Sequence, residues 1–198
     1  MSKQLKYLKK LEPLLLKPLF TNAHAQKLGI PRHALAYYCK IGILRRVSPG
    51  TYQASEYETD VEPTWEFLAE TASSIPEGTI SLISALSIYD LTDEIPRAAW
   101  ISIPHSQRVP VRSRTKIVRM RNTELGKNEI SLGEYTLQIY DRERCIIDAF
   151  RYLGREVAIN ALKLYLASPT HPSSIKKLTE YARILRVDVE DYILALTT

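Results

Sequence analysis

Leucines recur at three- and four-residue spacing at the start of the chain. Leu5, Leu8, Leu11 and Leu15 fall on one side of a helix over Gln4–Leu16, while Lys3, Lys6, Lys9, Lys10 and Lys17 occupy its other faces. Pro18 forbids continuation, and Thr21-Asn22 supplies a cap for a short second helix, Ala23 to Leu28. Gly29-Ile30-Pro31 predicts a tight turn in which glycine closes one helix and proline opens the next at its first position, where no N–H is needed. The third helix runs from Pro31 to Ile41 and stops at Gly42. Ile43 to Val47 then alternates as a strand, Ser48-Pro49-Gly50 is turn chemistry, and Thr51 to Gln53 returns as the second strand of a hairpin.

Helix, helix, tight turn, helix and hairpin is the order of a winged helix-turn-helix, expected here over residues 1–58. Glu56 to Pro63 is acidic and polar, as a linker would be. Beyond it, Thr64 to Ser74 predicts a helix with Trp65, Leu68, Ala69 and Ala72 inward. A β-prone run, Thr79 to Ile83, leads into a brief helix, Ser84 to Leu91. Ala99 to Ile103, Thr115 to Met120 and Tyr135 to Tyr140 are strand candidates. Helical periodicity returns over Arg142 to Leu153, Glu156 to Ala167, Ser173 to Leu185 and Asp188 to Leu196. The expected fold class is therefore α+β: the winged helix, then a domain over residues 59–198 with strands at about 79–140 and a helical bundle at about 141–197.

Composition agrees with this reading. Of 198 residues, 45% are hydrophobic and 25% charged, the balance of a folded globular chain. Lys9, Lys10, Glu12 and Lys17 interrupt any secretory h-region, and no segment approaches the ~18 apolar residues of a membrane span, so a cytoplasmic protein is expected. Cys39 and Cys145 lie far apart in apolar stretches, which suggests neither a disulfide framework nor a zinc site.

The net charge of +5 becomes informative once divided along the chain. Residues 1–58 carry ten Lys/Arg against three acidic residues, residues 59–140 eight against eleven, and residues 141–198 nine against eight. The excess belongs to the N-terminal segment, as an electrostatic footprint for a polyanion would. With Leu35, Tyr38 and Gly42 turned inward, the third helix presents Arg32, His33, Ala36, Tyr37 and Lys40 outward. Arg32 and His33 stand at its N-terminal end, where a helix in the major groove meets base edges, and Lys40 is placed for phosphate. In the hairpin, Arg45 and Arg46 point to opposite sides of a strand, so only one of them is expected to face a duplex.

A second basic tract lies between Ile95 and Thr123, with Arg97, Arg108, Arg112, Arg114, Lys116, Arg119 and Arg121 and no acidic residue. It is a candidate second patch for a nucleic acid or a protein partner. Arg112, Arg114 and Lys116 share one strand parity and Arg119 and Arg121 the other. One flat patch would therefore need a bend, and an arginine-rich loop before a charge-guarded edge strand is the competing reading. Catalytic motifs are absent: there is no Gly-rich phosphate loop, HExxH, GxSxG or CxxC pair, so no catalytic residue, metal or cofactor is expected. His105 and His171 sit in proline-flanked loops without an evident partner. Asp90, Asp93 and Glu94 read as turn chemistry, and Asp148 as a partly buried carboxylate paired with Arg144 or Arg151.

Four segments in order resemble the AbiEi family of antitoxins: Gly42 to Tyr52, Ile80 to Thr92, Ile101 to Pro104, and Asp141 to Ala149. The resemblance implies an N-terminal winged helix that represses its own promoter and a C-terminal domain that neutralises a toxin of nucleotidyltransferase fold. It also implies double-stranded DNA as a partner, contacted by Arg32, His33, Tyr37, Lys40, Arg45 and Arg46; no membrane partner is expected from the lack of an apolar span. A stand-alone regulator without a toxin is the alternative, and a nuclease-like C-terminal domain a third reading.

Overall fold

A computed structural model describes residues 6–169 and 171–197. Gln4 and Leu5, which open the first expected helix, and Lys3 before them lie outside the described residues. The chain is a mixed α+β protein that divides into two units, Met1–Pro76 with residues 131–136, and residues 77–130 with 137–198. The first unit thus runs past the expected boundary at 58 and takes in a segment from far along the chain.

In the first unit, α1 (Leu8–Leu15) buries Leu11 and Leu14. A two-residue strand that periodicity does not announce, β1 (Phe20–Thr21), precedes α2 (Asn22–Lys27). Thr21 caps α2: its hydroxyl accepts the His24 N–H at 3.3 Å, and its own N–H donates to His24 Nδ1 at 3.3 Å. Gly29 at φ +71° turns the chain toward α3 (Arg32–Lys40). Pro31 was expected at the first helical position. It is instead the extended capping residue (φ −78°, ψ 154°), because its carbonyl already accepts the Ala34 N–H at 3.0 Å.

The far end of α3 is closed by Gly42 at φ +79°, whose N–H donates to Cys39 O while the Ile43 N–H reaches back to Tyr38 O. This pair of bonds satisfies the last carbonyls and aims the chain into the sheet. β2 (Leu44–Ser48) and β3 (Thr51–Ala54) form the hairpin, and β1 adds outside β3 to give an antiparallel order β1-β3-β2. Leu11, Phe20, Leu35, Tyr38, Leu44 and Tyr52 form the core between helices and sheet. α4 (Pro63–Ser73) completes the unit, with Leu68, Ala69 and Ala72 buried.

Residues 56–63 were expected to be a linker, yet they are pinned. Glu134 accepts from the Thr59 hydroxyl at 2.9 Å and from the Asp60 N–H at 3.2 Å. Gly133 (φ +55°) lies so close that a Cβ there would meet Val61 Cγ2 at 2.8 Å.

The second unit is built on a five-stranded sheet in the order β6-β5-β4-β8-β7, from β4 (Thr79–Ile80), β5 (Ala99–Pro104), β6 (Thr115–Met120), β7 (Lys127–Leu132) and β8 (Tyr135–Tyr140), the residues 131–136 of the last two belonging to the first unit. β4 pairs antiparallel with β5 and parallel with β8, so Ile80, Ile101 and Ile139 align on one face. The first strand is shorter than expected, since Leu82, at φ +48°, already opens α5 (Leu82–Ile88). Strand β7 was not foreseen, because KNEISL lacks an apolar alternation. β5 and β6 run parallel, joined by the loop 105–114.

Four helices follow: α6 (Arg142–Tyr152), α7 (Arg155–Ala167), α8 (Ile175–Leu185) and α9 (Glu190–Thr197). α6 carries a buried polar network. Arg144 Nε donates to Asp148 Oδ2 and Nη1 to Leu125 O, both at 2.7 Å, and the guanidinium lies 4.3 Å from the Tyr140 ring centre. Arg151 donates to the other oxygen of Asp148 at 2.7 Å, so both expected partners engage this carboxylate. Lys177 Nζ lies 3.0 Å from both Asp141 and Glu143, and the Tyr165 hydroxyl donates to Glu143 at 2.6 Å. These bonds satisfy groups that burial would otherwise penalise.

Candidate nucleic-acid interface

A cationic surface on the first unit is set up by charge segregation: no acidic residue occurs between Glu12 and Glu56. Within that stretch α3 buries Ala34, Leu35 and Tyr38 and leaves Arg32, His33, Ala36 and Lys40 exposed. Tyr37, expected outward, is only half-exposed, because its ring packs at 6.0 Å against buried Tyr38 and it joins the edge of the core. The outer side of α3 is thus Arg32 and His33 at its N-terminal end, the small Ala36 in the middle and Lys40 in the last turn. Among the described residues, none of Arg32, His33 and Lys40 has an ion-pair partner.

One contact that sequence reasoning missed holds the hairpin against the helices. The Asn22 N–H, at the start of α2, donates to Gly50 O in the hairpin turn at 2.9 Å. Gly50 has φ +81°, and a Cβ there would sit 3.0 Å from Asn22 Nδ2. Only glycine gives the turn this backbone shape without strain while letting α2 approach so closely.

The two hairpin arginines are both exposed but face opposite ways. Residues directly opposite in an antiparallel pair share a face. Arg46 pairs with Tyr52, which stacks on Phe20 at 5.8 Å in the core, so Arg46 lies on the side of the helices. Burial raises the thiol pKa of Cys39 in α3, and the charge of Arg46 offsets part of that rise, as its proximity to α3 requires. Arg45 pairs with Gln53, on the reverse side, where Gln53 Nε2 donates to the Tyr135 hydroxyl at 3.4 Å. There Arg45 Nη2 lies 2.7 Å from Glu70 Oε1 of α4, an ion contact close in distance but not aligned as a hydrogen bond.

The second basic tract does not come together as one surface. Lys116 pairs with Trp100 and sits 4.4 Å from its ring centre, whereas Arg119 pairs with Ile103 on the other face of the sheet, with Arg121 beyond the strand end. Arg108 and Arg112 belong to the loop before β6, where Arg112 donates to Val111 O at 3.0 Å. Arg114, at φ +47°, ends that loop, its carbonyl accepting the Ala99 N–H. Since β6 is an edge strand, its exposed Lys116 and Arg119 also discourage pairing with other chains. Among the described residues, no group of His, Cys, Asp and Glu side chains is arranged to hold a metal, and no helix is long and apolar enough to cross a membrane.

Residues 11–55 match the family model described as a transcriptional regulator, AbiEi antitoxin. The matched span starts within α1 and ends just after β3, so it coincides with the helices and the small sheet that present the cationic face. It covers less than a quarter of the chain, and the resembling segments at 80–92, 101–104 and 141–149 fall outside it. No curated protein matches the chain.

Proposed function

We propose that this chain is a DNA-binding regulator of the antitoxin type. Its N-terminal part is a winged helix-turn-helix in which α3 enters the major groove and the β2–β3 hairpin is the wing. Arg32 and His33 meet base edges, Ala36 and Tyr37 let the helix approach, and Lys40 and one of the two hairpin arginines, Arg45 or Arg46, serve the phosphate backbone. The target is the promoter of its own operon, which it represses. The single observation that carries this reading is the outer side of α3: exposed Arg32, His33 and Lys40 with no ion-pair partner among the described residues, inside a stretch free of acidic residues. A cationic helix held firm by a capped turn and a hairpin is what phosphate-dominated recognition needs.

Residues 59–198 then form the antitoxin domain, which neutralises a nucleotidyltransferase-like toxin encoded beside the gene. The alternative, a stand-alone regulator, is favoured by one observation: the family match ends at residue 55.

Mobility shifts on the duplex upstream of the gene, at about 50 and about 200 mM salt, test the DNA reading. The wild type should bind and weaken steeply with salt. Arg32→Ala/Lys40→Ala, lacking one base-reading and one phosphate-reaching side chain, should bind less tightly and lose roughly 3.5-fold less affinity across that interval. Co-expression with the neighbouring toxin gene distinguishes the two versions: rescue of growth supports the antitoxin, and failure to rescue with DNA binding intact leaves the regulator alone.

A further inference from the structure

We propose that the two adjacent hairpin arginines do different work: Arg46 touches the duplex, and Arg45 is a positioning residue that ties the hairpin to α4 through Glu70. This rests on the DNA-binding reading and refines it. Two observations carry it independently. The first is the strand register, which sets Arg46 beside Tyr52 on the side of α3 and Arg45 beside Gln53 on the reverse. The second is what each side holds. The reverse side is occupied: Glu70 lies 2.7 Å from Arg45, and Gln53 is buried under Tyr135.

A cation already facing a carboxylate gains little from a phosphate, since its counter-charge is in place and breaking that contact strands a half-buried Glu70. Side-chain exposure is 46% for Arg45 but 16% for Glu70, so the carboxylate is the member that cannot turn to water. Arg46 has no such partner among the described residues. A sequence reading alone gives Arg45 and Arg46 equal standing; the register and Glu70 separate them. The pairing also gives α4 a role in recognition although it lies outside the matched family span. Through Arg45 it fixes the strand whose next residue meets the backbone.

The experiment is a salt titration of duplex binding by the full chain, with Arg46→Ala, Arg45→Ala, Arg45→Lys, Glu70→Gln and the double variant Arg45→Ala/Glu70→Gln. One lost phosphate contact makes the affinity fall between about 50 and about 200 mM salt roughly 3.5-fold smaller. Arg46→Ala should show that change. Arg45→Ala and Glu70→Gln should each weaken binding severalfold with the salt dependence of the wild type, the double variant should be no weaker than either single one, and Arg45→Lys should restore most of the affinity. The inference is overturned if Arg45→Ala flattens the salt dependence as Arg46→Ala does, or if Glu70→Gln steepens it by freeing Arg45 for phosphate. Should Arg45→Ala fail to fold by circular dichroism, Glu70→Gln still decides between these outcomes. A wild type that binds no duplex overturns the DNA reading itself, whereas a binding wild type with interchangeable arginines overturns only this refinement.

Discussion

Replacing Asp148 by alanine isolates the most demanding contact in the second unit. Arg144 is fully buried and Asp148 is 1% exposed, so neither charge is served by water. In the variant the Arg144 guanidinium keeps the Leu125 carbonyl at 2.7 Å and the Tyr140 ring at 4.3 Å, but no anion. Breaking a buried pair from one side costs about 3–5 kcal/mol. Arg151→Ala removes the other partner of the same carboxylate, but its side chain is 27% exposed and Arg144 still holds Asp148, so about 1 kcal/mol or less is expected. Arg144→Met/Asp148→Leu removes both charges and should recover most of the loss. Urea unfolding of the full chain followed by circular dichroism measures all three. With slopes of about 1–3 kcal/mol per molar, Asp148→Ala should bring the midpoint down by about 2 M and Arg151→Ala by well under 1 M. Equal midpoints for Asp148→Ala and Arg151→Ala would refute the reasoning, because burial would then have no weight in deciding the cost.

Three other outcomes follow from single sites. Burial raises the Glu143 carboxyl, but hydrogen bonds from Tyr165 and Lys177 outweigh it and leave the group below its ordinary pKa. A carboxylate depressed in the folded state stabilises at neutral pH and stops doing so as pH falls through its folded value. The stability gap between wild type and Glu143→Gln should therefore narrow on acidification, as read by denaturant midpoints across the acid range; a gap that widens contradicts it. Gly133→Ala forces an L residue to φ +55° and a methyl within 2.8 Å of Val61, so thermal unfolding should show a loss of about 2 kcal/mol or more, and an unchanged midpoint counts against the tight strap. Ala36→Glu places a carboxylate on the exposed side of α3, which should abolish duplex binding at unchanged melting temperature; retained binding would speak against a groove-facing helix.

Legibility in the sequence followed periodicity. The longer helices α4, α6, α7 and α8 and the strands β5, β6 and β8 stand within two residues of their expected ends, because ten or so periodic residues in each helix, and a β-prone run bounded by breakers in each strand, outvote local ambiguity. β1 is two residues long and carries no period at all, and β7 is a polar edge strand whose only signature is its place in the sheet. The outward side of α3 was legible from residue type and helical geometry, save for Tyr37, whose ring finds the core edge. The arginine pair was legible only as a question. Parity says that Arg45 and Arg46 differ, but which faces α3 depends on pairing with Tyr52, and the fate of the other on Glu70 in a helix twenty-five residues away. Likewise Glu134 and Tyr135 join the first unit through contacts with Asp60 and Gln53 that span more than seventy residues of chain, beyond the reach of any local pattern.

The direct test of the central claim is a duplex titration of isotope-labelled protein by NMR, following backbone amides along the whole chain. The account predicts that the upstream duplex shifts the amides of Arg32, His33, Ala36 and Lys40 and of the turn around Gly50 most strongly. Perturbations confined to residues 77–130 and 137–197, with α3 unmoved, would contradict it.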